Sequence, residues 1–119
     1  MTLEEYQQKA MTTCMPSSSN WSYMYTNLVG EVGELGSKVA KAIRKGQAEI
    51  KDSQLEFTEF PTNIEIEQAM MLETGDILWQ LSGLCSVMGW SLDKIGQMNL
   101  DKLQDRQQRN QIDGNGDYR

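Results

Sequence analysis

The chain has no histidine, and only two cysteines and two prolines among its 119 residues. Without histidine there can be no Ser-His triad, no imidazole base and no histidine-ligated zinc. Cys14 and Cys85 match no metal or redox spacing, so they read as reduced thiols of a cytoplasmic protein. Long apolar runs are also missing. The longest, Ala69 to Leu72, falls far short of the roughly 20 residues that a membrane span needs. The opening Met1-Thr2-Leu3-Glu4-Glu5-Tyr6 lacks the basic and apolar regions of a secretion signal, so no membrane partner is expected. Positive charge is scarce as well, with 11 basic residues against 17 acidic ones and a net charge of −6. Phosphate backbones need a basic stripe, so a nucleic-acid partner is not expected either. An acidic chain can still take an anionic substrate if metal ions stand between them.

What is present is helical periodicity. The length argues for one domain over 1–119. Thr2 and Glu5 form a capping box for a first helix over Leu3 to Met15, stopped by Pro16 and the serines after it. Asn20 is placed to cap a second helix from Trp21 to Lys45. Along that helix Leu28, Val32, Leu35, Val39 and Ile43 recur on one stripe, and Gly46 ends it as a left-handed cap. Residues 46–62 form an irregular insertion in which Leu55 and Phe57 allow either a short strand or a loop. Thr62 and Glu65 suggest a second capping box. A third helix over 63–88 carries Met70, Ile77, Leu81, Leu84 and Met88, widened by Leu78 and Cys85. Ser91 caps a fourth helix to Arg109, and 110–119 is an extended tail rich in turn formers. The expected fold is all-α: an antiparallel bundle of about four helices, completed by association of copies.

The informative residues are acids beside the core stripes. On the second helix, with Leu28 at zero, Glu31 falls at about 300° and Glu34 at about 240°, one turn apart on the flank of the stripe. On the third helix, with Ile77 at zero, Glu73 falls at about 320° and Asp76 at about 260°. Glu-x-x-Glu is common on solvated faces and alone means little. Two such pairs flanking core stripes of different helices are less common, and packing those helices together lets all four acids converge. At an effective dielectric of about 20, each pair ~4–5 Å apart costs roughly 3–4 kcal/mol before screening. Protonation or cations would relieve that cost. Oxygen ligands alone select hard ions such as magnesium, manganese or calcium.

Two further features accompany the acids. Gly30, Gly33, Gly36, Gly75 and Gly83 sit inside helices at a cost of ~1 kcal/mol each. Close helix packing is the structural reading, and room for metal or phosphate near the acids is compatible with it. On the fourth helix Asn99 lies within the apolar stripe, bordered by Lys102 and Arg106. Asn99 can be satisfied by backbone or by a ligand. The two cations suit phosphate oxygens, although solvated surface charge is the commoner fate of such residues. Lys38 and Lys41, after the first acid pair, could also help with phosphate charge. Trp21, Tyr25 and Trp79 are available for a base, but tryptophans in helical bundles are core more often.

Three segments, Leu28-Val29-Gly30-Glu31-Val32-Gly33-Glu34-Leu35, Leu72-Glu73-Thr74-Gly75-Asp76-Ile77-Leu78-Trp79 and Asn99-Leu100-Asp101-Lys102-Leu103, together resemble the MazG-like all-α nucleoside triphosphate pyrophosphohydrolases. Their signature is Glu-x-x-Glu followed by Glu-x-x-Asp. The opening Glu5-Tyr6-Gln7 and the tail from Arg106, with Asp113-Gly114-Asn115-Gly116-Asp117, are similar to a phage and bacterial branch. The 38 residues between Glu34 and Glu73 exceed the gap in many members, which puts the substrate in question more than the chemistry. The resemblance implies hydrolysis of a nucleoside triphosphate between the α and β phosphates, giving monophosphate and pyrophosphate. It implies Mg2+ as cofactor, with Mn2+ as a substitute. Glu31, Glu34, Glu73 and Asp76 would be metal ligands, one of them serving the attacking water. Asn99, Lys102, Arg106 and Lys38 would meet substrate. A homodimer or homotetramer would complete the site.

Two alternatives stand beside this reading. One is a phosphohydrolase for a single deoxynucleotide that also accepts diphosphates. The other is a non-enzymatic helical module that binds a nucleotide or a partner chain, against which four repelling carboxylates argue.

Overall fold

In the computed structural model, residues 1–58, 62–114, 116 and 117 are described. The elements are α1 (Leu3–Met11), a 3-10 turn at Pro16–Ser18, α2 (Trp21–Arg44), β1 (Ala48–Lys51), β2 (Gln54–Phe57), α3 (Thr62–Val87) and α4 (Leu92–Gln108). The fold is all-α apart from one small two-stranded sheet.

Most helix ends follow local chemistry. The Thr2 hydroxyl accepts from the Glu5 N–H and the Glu5 carboxylate accepts from the Thr2 N–H, closing the capping box. Asn20 Oδ1 accepts from the Tyr23 N–H at 2.8 Å, and the Ser91 hydroxyl accepts from the Lys94 N–H. Gly46 and Gly89 end α2 and α3 in the left-handed region, at φ 71° and 72°. The first helix is shorter than expected. After Met11 the N–H groups of Thr12, Thr13 and Cys14 turn back three residues rather than four. The hydroxyls of Thr12 and Thr13 take the carbonyls of Lys9 and Ala10, which tightens and ends the helix. The suggested cap at Thr62 lies outside the described side chains.

Of the insertion expected at 46–62, residues 46–58 are described, and they take the short-strand alternative. Ala48–Lys51 pairs antiparallel with Gln54–Phe57, Ala48 opposite Phe57 and Ile50 opposite Leu55. Asp52 and Ser53 adopt φ 51° and 64°, a two-residue turn whose left-handed residues suit the twist of a hairpin. The Thr58 N–H and hydroxyl reach the Gln47 and Gly46 carbonyls and anchor the hairpin to the end of α2.

The most extensive packing is α2 against α3. They run antiparallel, with Met24 against Gly83 at one end of the pair and Lys38 against Glu73 farther along. Met24 is fully buried, and a Cβ at Gly83 would collide with its sulfur and methyl. That is the close approach expected of the helical glycines, but Gly33, Gly36 and Gly75 have no neighbour where a Cβ would stand.

The seam also differs from the expected stripes. On α2, Met24 and Ala42 are buried, whereas Val32 and Ile43 are 52% and 42% exposed. On α3, Gln80, Ser82 and Cys85 are buried, whereas Leu81 and Met88 are exposed. The face of α2 that meets α3 is turned away from the apolar stripe toward the acids. Trp21, Tyr25, Val29, Val32 and Ile43 are left as an uncovered apolar face.

The α1 helix packs on α3 and on α4. Gln7 joins all three: its amide donates to the Ser86 hydroxyl (3.0 Å) and the Trp90 carbonyl (2.9 Å), and its carbonyl accepts from the Leu92 N–H (2.9 Å). The principal packing of α4 is with α1, so it does not close over the acid-bearing seam. The radius of gyration is 17.8 Å, against about 13–14 Å for a compact domain of this length. No helix among the described residues is long and apolar enough to cross a membrane.

Candidate active site

Glu31 on α2 and Glu73 and Asp76 on α3 each offer a carboxylate oxygen, and these oxygens all lie within 4.8 Å of one another. The seam creates this convergence: Glu31, one face of α2, meets the i, i+3 pair of α3 across an antiparallel crossing. Glu34, about 60° further round α2, stays exposed outside the triad. It lines a groove with Ser37, Lys38, Lys41 and Glu73. Lys38 pairs with Glu73 at 3.5 Å.

The electrostatics are those of acids crowded together and partly dried. Burial, then the charges of Glu34, Asp76 and Glu73, hold the Glu31 carboxyl above its ordinary range, opposed by the Asn27 amide. That amide donates to Glu31 Oε1 at 3.5 Å, a long contact. Tyr6 of α1 is also pushed upward, by burial and then by the charge of Asp76. Asn27 was not marked by the sequence motifs, and Tyr6 stood in the Glu5-Tyr6-Gln7 opening with no role attached to it. Asn27 stands one turn before Glu31, where an i, i+4 scan would find it. Tyr6 comes from another helix and leaves no such trace.

One test of fit for a metal is whether the carboxylates already have partners. Glu31 Oε2 and Glu73 Oε2 are both buried and neither has a hydrogen-bond partner. Buried carboxylate oxygens without partners are costly. A hard cation would satisfy both, and an all-oxygen donor set suits Mg2+ or Mn2+.

Three sequence candidates lie elsewhere. Asn99, Lys102 and Arg106 sit on α4, away from the triad's groove. Asn99 is exposed. Lys102 pairs with Asp117 at 2.9 Å. Arg106 is buried, and its guanidinium donates to the carbonyls of Gly116 and Asp117 and to the Asp117 carboxylate. The two cations hold Asp117 below the usual carboxylate range, first through hydrogen bonds from Lys102 and Arg106. Of the aromatic candidates, Trp21 and Tyr25 stack on the surface with centroids 5.1 Å apart. Trp79 donates its indole N–H to the Ala10 carbonyl and the Thr13 hydroxyl.

Residues 20–110 match the MazG nucleotide pyrophosphohydrolase domain, a span that holds both acid pairs and all of α4. The chain belongs to the MazG family. It is also similar to the Gene 37 protein of Mycobacterium phage L5, 34% identical over 98 residues, which cover 82% of this chain and 75% of the phage protein. No solved structure matches it. MazG membership assigns the chain to the nucleotide pyrophosphohydrolases, a hydrolase family, and the acid seam lies within the matched region.

Proposed function

We propose that this MazG protein hydrolyses ribo- or deoxyribonucleoside triphosphates between the α and β phosphates with the help of Mg2+. The observation that carries this reading is the triad Glu31, Glu73 and Asp76 with its two unpartnered, buried carboxylate oxygens. The triad would hold the metal, with Glu34 completing the ligand set from the edge of the groove. A bound divalent ion supplies charge neutralisation at the phosphates and a lowered pKa for water. The chain's own groups do the rest. One of the four carboxylates would take the proton of the attacking water. The water oxygen joins the α phosphorus, and the bridging oxygen leaves with its electron pair on pyrophosphate. Lys38, at the rim beside Glu73, would meet the phosphates.

Asn99 and Lys102 are proposed to contact substrate from a neighbouring copy, since α4 does not reach its own acid seam, and Arg106 would join them only on release from Gly116 and Asp117. The uncovered face of α2 and the open shape support a homodimer or homotetramer in which another copy covers them. The reaction is proposed to occur in the cytoplasm, with no nucleic-acid or membrane partner.

The test is pyrophosphate release from a panel of ribo- and deoxyribonucleoside triphosphates, with and without Mg2+. Metal-dependent pyrophosphate from any of them is expected. Orthophosphate as the product, or no product from a folded protein across the panel, would overturn the reading.

A further inference from the structure

The groove at the acids continues along the seam. Beyond Glu34, Lys38 and Glu73 it opens, through Lys38 and Lys41, into a second chamber of about 180 Å³ at the base of the hairpin. Lys38, Lys41, Lys45 and the Gln47 side chain line that chamber together with Ala42, Ile66 and Ala69. The three lysines stand at i, i+3 and i+7, on one stripe of α2. This is a concentration of cations in a chain of net charge −6. Lys38 is engaged with Glu73, whereas Lys41 and Lys45 have no ion-pair partner among the described residues. The helix dipole accounts for cations in the last turn of α2. It does not account for their sharing a groove with the acids, where small residues, Ala42 and Ala69, leave the space between the helices open.

Chemistry assigns the two ends of the groove different work. Cleavage at the α phosphate separates a monophosphate from pyrophosphate, a compact anion of three to four charges that needs cations on the side away from the nucleoside. Acids alone would repel it. We propose that Lys41 and Lys45, with Lys38, form the subsite for the β and γ phosphates, and so for the leaving pyrophosphate. The triphosphate then lies along the α2–α3 groove with its terminal phosphate toward the hairpin. This rests on the pyrophosphohydrolase reading and adds to it a direction for the substrate and two residues, Lys41 and Lys45, as positioning groups.

The experiment is calorimetric binding of magnesium pyrophosphate and, separately, of a nucleoside monophosphate. The proteins are the full chain and its Lys41→Gln/Lys45→Gln variant at fixed ionic strength, with helical content checked by circular dichroism. Glutamine keeps the stem and the helix propensity of lysine and removes the charge. Pyrophosphate affinity is expected to fall about tenfold or more, the scale of a lost charge-assisted contact, while monophosphate affinity changes by less than about twofold. Equal weakening of both products, or pyrophosphate affinity indifferent to the two lysines, would overturn the subsite. A protein that turns over triphosphates with lysine-independent pyrophosphate binding would overturn the subsite and leave the proposed activity standing. Lysine-dependent pyrophosphate binding with no turnover of any triphosphate would uphold an anion site and overturn the activity.

Discussion

Two buried polar clusters lie at opposite faces of α3, and they are built on opposite rules. On the α1 side, Gln7 is buried with both ends of its amide occupied, by Ser86, Trp90 and Leu92. On the α2 side, Glu31 and Glu73 are half-buried, and each has one buried oxygen left without a partner. The first arrangement is what a stable fold does with polar atoms. The second costs stability and is retained where a ligand is to be held. The two clusters therefore contrast polar burial that is satisfied within the fold with polar burial left open to a ligand.

The sharpest way to break the comparison is to remove a charge from the acid cluster. Glu31→Ala or Asp76→Ala is expected to lower turnover by about a hundredfold or more. The metal-free protein should keep its melting temperature or gain a little, because repulsion is relieved. A pyrophosphate assay and a thermal melt on the same sample check both halves, and undiminished turnover would end the metal-site assignment. The converse holds at Gln7. Leu92 opens α4, so its N–H is one of the donors a helix leaves unpaired. Gln7→Ala strands it together with the Trp90 carbonyl and should cost about 2–4 kcal/mol of unfolding free energy by denaturant titration. Activity per folded molecule should persist, and a loss of activity without a loss of stability would reverse the assignment of roles.

A smaller effect concerns α4. Lys102→Ala is expected to raise KM several-fold, on the scale of about 1 kcal/mol for one contact to a charged group, with little change in metal affinity. Equal loss of both would move the phosphate contacts away from α4.

The smallest effect is in pH dependence. Glu31 is raised above its unfolded value, so the folded chain binds more protons than the unfolded one between the two pKa values. Metal-free stability should therefore fall as pH rises through that interval, and Glu31→Gln should flatten the fall. Added Mg2+ should reverse the slope, since only the deprotonated carboxylate binds metal. Melting temperature against pH with and without chelator measures this.

Much of this was legible in the residues, for identifiable reasons. Asn20, Ser91, Gly46 and Gly89 mark helix ends by chemistry that acts within a few residues, and they stand where that chemistry put them. The acids were legible because a 3.6-residue period turns spacing into direction. That period also set Glu34 apart from Glu31, but which of the two faces α3 depends on how the helices cross, and the pattern of Val32 and Ile43 pointed to a different seam. The hairpin was only half legible, because Leu55 and Phe57 alternate but a four-residue strand is too short to decide between strand and loop. The placement of α4 was hidden because it depends on Gln7, 85 residues from its bond to Leu92. The Lys45 and Gln47 walls of the groove become visible only once the hairpin is in place.

Trp79 gives this architecture an optical consequence. Its indole N–H is tied to Ala10 and Thr13 at the end of α1, and that short helix packs on α3, which carries Glu73 and Asp76. The helix that holds the tryptophan also covers part of the acid-bearing helix, so release of α1 would wet Trp79 and that side of α3 together. Emission from this chain would shift to the red as its first eleven residues let go, with Trp79 as the indole that changes surroundings. The protein thus carries its own indicator of whether α1 is docked on the acid-bearing helix.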